Sequence, residues 1–151
     1  MYPQTLRSLP FADLRGARRA GADELRVTNA KADEAEIYLY GEIGFWGVTA
    51  ADFQRELALV TAKHINLHVN SPGGEVFDGI AIYTLLREHE ASVTTYIDGL
   101  AASAASFIAL AGDKVVIAKS AHMMIHEAMG LAWGYASDLR RQADVLDRLT
   151  E

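Results

Sequence analysis

With 151 residues, half of them hydrophobic and 23% charged, the chain is long enough to bury one domain's core. A net charge of −6 excludes a general nucleic-acid binder, which needs clustered Lys and Arg for its phosphate contacts. The absence of cysteine excludes a disulfide framework, a thiolate zinc site and a cysteine nucleophile, and fits a cytoplasmic setting.

In chain order, residues 1–33 read as an irregular leader, with Pro3, Pro10, Gly16 and Gly21 spaced through polar sequence. Arg7, Arg15, Arg18, Arg19 and Arg26 outnumber Asp13, Asp23 and Glu24 there, which suits a solvated leader or a basic arm touching a partner. The leader lacks the charged-then-apolar layout of a signal peptide. No later run reaches the ~18 apolar residues of a membrane span.

From residue 34 to 151 the chain reads as one domain. Glu36-Ile37-Tyr38-Leu39-Tyr40 predicts a strand ending at Gly41, and Phe45, Trp46 and Gly47 a loop. Thr49 is the expected N-cap of a helix over 50–62, where Phe53, Leu57 and Val60 repeat at helical spacing. Ile65-Asn66-Leu67-His68-Val69 alternates as a strand, which Ser71-Pro72-Gly73-Gly74 is expected to break. A second helix follows over 76–88, then a strand at 93–97 and a helix of small residues from about 102. Residues 114–118 read as a strand, 122–126 as a short strand or turn, and 135–150 as a polar helix. That helix meets no glycine, proline or turn before Glu151, so the chain reads as a piece of something longer. Strand–helix alternation predicts an α/β fold with crossover units.

Chemistry concentrates where strands end in small residues. In Gly99-Leu100-Ala101-Ala102-Ser103 a strand turns into a helix, placing Ser103 where the first backbone N–H groups have no helical partner. A second glycine-bearing turn, Asn70-Ser71-Pro72-Gly73-Gly74, could aim another N–H at the same oxygen, forming an oxyanion hole; alone it reads as a strand-to-helix connector. His126, 23 residues after Ser103, is the natural base, although a histidine in an apolar run is commonly a packed core residue. Ser106, one helical turn past Ser103, is the second candidate hydroxyl. His122 and His126 share a metal-like spacing, but Glu127 is misplaced for a zinc motif, so no metal and no cofactor are expected. His64, His68 and His89 read as structural or solvated.

Taken together, these pieces resemble the Clp protease proteolytic subunit and its relatives among phage head-maturation (prohead) proteases. The matching segments are Ile37-Tyr38-Leu39-Tyr40-Gly41-Glu42-Ile43, Ile65 to Gly74, Gly99 to Ser103, and Met123-Met124-Ile125-His126, in the family's order and spacing. The resemblance implies a spiral of ββα units shared with the crotonase superfamily, here cut short before the end of the handle region. It implies a serine endopeptidase that hydrolyses extended polypeptides through an acyl-enzyme. Ser103 would be the nucleophile and His126 the base, with the N–H groups of Gly74 and Ala104 forming the oxyanion hole. Gly73 would shape the turn, and Glu75 and Val76 would line the groove where substrate lies as an added strand. A homo-oligomeric ring is implied, with an ATP-dependent unfoldase or phage capsid and scaffold proteins as partners, in the bacterial cytoplasm or a prohead assembled there.

The sequence departs from this pattern in three places. Ala104-Ala105 stand where Clp subunits usually have Met-Gly, a change that resembles the phage branch. The family's triad Asp lies several dozen residues past the histidine, beyond Glu151. The handle that joins rings in that family is present only at its beginning. The loss of the Asp favours a second reading, a Clp-fold assembly or scaffolding domain of weak or absent activity. Asp98, Asp78 and Glu127 are the nearest carboxylates in sequence, without a spacing that makes any of them a substitute. A crotonase-type acyl-CoA enzyme would use the same oxyanion hole without Ser103. A signal-peptide-peptidase-like enzyme would pair Ser103 with a lysine such as Lys119 and leave His126 idle.

Overall fold

A computed structural model describes residues 25–31 and 33–150. The expectations for residues 1–24 lie outside the described residues. Among the described residues six strands form one sheet: β1 (Leu25–Lys31), β2 (Glu34–Ile43), β3 (His64–Gly74), β4 (Ser92–Ala102), β5 (Lys114–Ile117) and β6 (His122–Met124). The order is β1-β2-β3-β4-β5, and β6 pairs with the far end of β4. Of these six, β1 runs antiparallel to its neighbour and β2 to β6 pair in parallel. Parallel neighbours need crossover connections. Helices α1 (Ala50–Leu57), α2 (Val76–Arg87) and α3 (Ala104–Ala109) supply them, and α4 (Ala136–Thr150) follows the sheet.

Side chains alternate across the strands and give the sheet two different faces. Ile37 and Leu39 on β2, Leu67 and Val69 on β3, and Val93 and Ile97 on β4 are buried with Phe53 of α1, Ile82 and Leu86 of α2 and Ile108 of α3. Each such residue contributes about 1.5–3 kcal/mol of burial. On the other face the half-buried rings of Tyr38, His68 and Tyr96 stack in register across β2, β3 and β4. His68 lies between Asp98 (Nδ1 to Oδ2, 2.8 Å) and Glu36 (Nε2 to Oε2, 3.1 Å). The Tyr40 hydroxyl donates to the same Asp98 oxygen at 2.8 Å. Burial first, then the Asp98 carboxylate, pushes the Tyr40 phenol up to about 12.

Four local expectations change. Residues 25–31, expected to be irregular, form β1, because Val27 and Leu25 find register partners in Ile37 and Leu39. A partner strand, not local propensity, makes that segment a strand. Pro72-Gly73-Gly74 does not end β3: Glu42 pairs with Gly73 and Ile43 with Gly74 after a register shift that accommodates the proline. Likewise β4 runs on through Gly99, because Leu100, Ala101 and Ala102 pair with β6, and α3 starts at Ala104 rather than near 102. Helix α1 has the expected Thr49 cap but stops at Leu57, short of 62.

Candidate active site

The chain reaches this site along β4. At its end Ser103 takes φ 52° and ψ −125°, and among the described residues it is the sole non-glycine with positive φ. That conformation is strained for an L-residue and is maintained by bonds on both sides. The Ser103 N–H donates to the Met124 carbonyl of β6 at 2.8 Å. Its carbonyl accepts from the Ser106 N–H at 2.9 Å and from the Ser106 hydroxyl at 2.6 Å. Ser106, buried and committed to that carbonyl, is part of the turn and not a free hydroxyl. The Ser103 hydroxyl itself makes no capping bond.

The end of β3 presses against this turn. A Cβ added to Gly73 would lie 2.4 Å from the Ala102 oxygen, 2.7 Å from Ser103 Cβ and 2.8 Å from the Ala104 nitrogen. Only glycine allows the two turns to approach this closely, and its φ of +89° favours glycine again. Gly73 gives its own N–H to Ser71 Oγ at 3.1 Å. Ala104, as the first residue of α3, has no helical acceptor for its N–H.

Ser103, His126, Gly73, Gly74, Ala104 and Val76 line one open cavity of about 760 Å³. The structure brings together six of the seven expected site residues. The seventh, Glu75, does not line the cavity: its side chain lies over Gly44 and its carboxylate accepts from the Phe45 N–H at 3.5 Å. As the residue between β3 and α2, Glu75 can contribute its backbone to a groove, but its carboxylate is turned away.

His126 is exposed, and its Nδ1 lies 2.6 Å from the Glu127 carbonyl oxygen. Asp98 is engaged by Tyr40 and His68, and Asp78 accepts from the Ala50 N–H at 2.9 Å at the start of α1. Neither lines the cavity. Among the described residues no group of three or more His, Asp and Glu stands where it could hold a metal ion. No helix there is long and apolar enough to cross a membrane.

Cavity residues that local patterns do not reveal are Phe107, Leu149 and Thr150. The last two arrive from α4, which folds back so that the Ala128 N–H donates to Thr150 Oγ1 at 3.1 Å. Nothing in the periodicity of 135–150 signals this docking, since α4 buries no residue.

The Clp protease family profile matches residues 20–151. The chain is 43% identical over 91 residues to the ATP-dependent Clp protease proteolytic subunit 2 of Synechococcus sp. (strain CC9605), covering 59% of this chain and 46% of that protein. It is 41% identical over 91 residues to the proteolytic subunit 1 of Prochlorococcus marinus subsp. pastoris, with the same coverage. The chain therefore spans about half the length of the curated relatives it matches. Among solved structures it is similar to a ClpP1 mutant from Listeria monocytogenes, with a TM-score of 0.65 and 25% identity over 79% of this chain and 66% of that one.

Proposed function

Because the chain belongs to the Clp protease family, we propose that it is a serine endopeptidase acting on extended polypeptides. In this reading Ser103 Oγ attacks the scissile carbonyl carbon while its proton passes to Nε2 of His126. The carbonyl oxygen becomes an oxyanion held by the N–H groups of Gly74 and Ala104, each such donor contributing about 10²–10³ in rate. Collapse breaks the C–N bond, His126 returns the proton to the leaving amine, and water hydrolyses the acyl-enzyme by the same steps. Substrate lies as an added strand along the backbone from Gly73 to Val76.

The observation that carries this reading is the seating of Gly73 against Ser103 and Ala104 in the cavity that also holds His126. Treatment of the chain with a fluorophosphonate should label Ser103, with fluoride leaving as the Oγ–P bond forms. The variant Ser103→Ala should lose the label and reduce peptide cleavage by about 10⁴-fold or more. Labelling or cleavage that survives this substitution overturns the assignment.

Two finer elements belong to the same proposal. Ala104-Ala105 after the serine support a phage-type head-maturation protease acting on capsid or scaffold segments. The exposed Leu131, Trp133 and Tyr135 support assembly into a homo-oligomer, with an unfoldase as a further partner. A second reading, a Clp-fold assembly or scaffolding domain of weak or absent activity, is separated by the same experiment, since it expects no fluorophosphonate labelling of Ser103.

A further inference from the structure

The turn that carries Gly73 is bounded by the end of β2. Glu42 pairs with Gly73, and Ile43 with Gly74, across a ladder whose strands lie about 4.8 Å apart. Gly73 in turn is seated against Ser103. Ile43 is buried, whereas Glu42 is exposed and lines the same open cavity as Ser103 and His126. Among the described residues nothing forms a hydrogen bond or ion pair with the Glu42 carboxylate. We infer that Glu42 is a specificity-determining residue, whose carboxylate receives the cationic head of a lysine or arginine side chain within a few residues of the scissile bond. This inference rests on the serine peptidase reading above.

A lysine or arginine side chain matches this lining in two parts. Its apolar stem lies well along apolar atoms while its head stays where charge and water are. Val76, Phe107 and Met124 offer the apolar wall, and Glu42 offers the charge. Substrate added as a strand along Gly73 to Val76 sends alternate side chains to one face, so one subsite meets Glu42 while its neighbours do not. Glu127 is the second carboxylate of the lining, and the two give the cavity a negative field. That field favours a cation over an uncharged chain of equal length and disfavours a carboxylate. The cavity is open to water, so the preference is that of an exposed ion pair, about 2- to 5-fold, and salt screens it. An interaction made equally with bound substrate and transition state lowers KM and leaves kcat alone.

The test uses internally quenched peptides that are identical except at one position, which carries lysine, norleucine or glutamate and is stepped along both sides of the scissile bond. At one position the unaltered chain should cleave the lysine peptide with a kcat/KM about 2- to 5-fold above that of the norleucine peptide, through KM, with the glutamate peptide lowest. NaCl at about 1 M should erase the difference, since the screening length is then about 3 Å. Glu42→Gln should bring the lysine-to-norleucine ratio to one, and Glu42→Lys should place the glutamate peptide first. Fluorescence anisotropy of the same peptides with Ser103→Ala reads the subsite without the chemistry: the lysine peptide should bind more tightly, and adding Glu42→Gln should remove its advantage. A lysine peptide that gains nothing over norleucine in cleavage or in binding, or a gain retained in Glu42→Gln, overturns the inference. If the binding preference is found but the unaltered chain neither cleaves nor takes a fluorophosphonate, the peptidase reading falls and the Glu42 subsite stands.

Discussion

At the scale of the residue, the proposed function rests on one strained serine and one glycine that lets another turn reach it. Ser103 keeps φ 52° because its N–H and C=O are bonded to β6 and to Ser106, which offsets a cost of about 1–3 kcal/mol. Gly73 has no such latitude, since any Cβ would meet backbone atoms of Ala102 and Ala104 that cannot rotate away. Gly73→Ala should therefore lower stability by about 2–5 kcal/mol, from overpacking and from an alanine at φ +89° together. Urea unfolding would show it as a lower midpoint at unchanged slope. A midpoint equal to that of the unaltered chain would mean that the turns do not touch as described. Ser103 and the glycines were legible from residue type alone, because small residues at strand ends are what such turns demand. The Ser106 bond to the Ser103 carbonyl was not legible, because it depends on the turn's geometry.

Elements show the same division. The cap of α1 could be read from Thr49, and the structure completes it reciprocally: the Asp52 N–H donates to Thr49 Oγ1 at 3.2 Å and the Thr49 N–H to Asp52 Oδ2 at 3.3 Å. Thr49→Ala should cost about 1 kcal/mol in urea unfolding. Asp52 adds a pH dependence. Burial raises its carboxyl, but the Thr49 hydroxyl and N–H, with Arg55, outweigh it and hold the group below its ordinary 3.8. A depressed carboxyl contributes stability that is present above pH 3.8 and is lost as pH falls through the lower folded value. The stability difference between the unaltered chain and Asp52→Asn should accordingly shrink as the pH drops below about 4. A difference that stays constant through that range would remove Asp52 from the cap. Strand ends were less legible than caps. Pro72 and the glycines at 73, 74 and 99 signal turns locally, yet β3 and β4 continue through them because β2 and β6 offer ladder partners.

Across the whole molecule, the sheet's inner face is closed by three helices, while the segment from Met123 to Tyr135 leaves Ile125, Met129, Leu131, Trp133 and Tyr135 outside. Trp133 is fully exposed, which makes it a reporter of assembly. In the proposed homo-oligomer its fluorescence should shift to the blue with rising protein concentration, in step with a larger sedimentation coefficient, and Trp133→Ser should weaken both. A monomer at all concentrations would remove self-association from the proposal. The sequence by itself determined the alternating strands, the helix faces, the serine turn and the candidate base, because each is written in residue types a few positions apart. Only the tertiary structure decided that residues 25–31 join the sheet, that Gly73 lies against Ser103, that Glu75 turns away, and that Thr150 reaches back to the peptide beside His126. Those are contacts between segments distant in the chain, and their energies depend on which surfaces the fold brings together rather than on any local pattern.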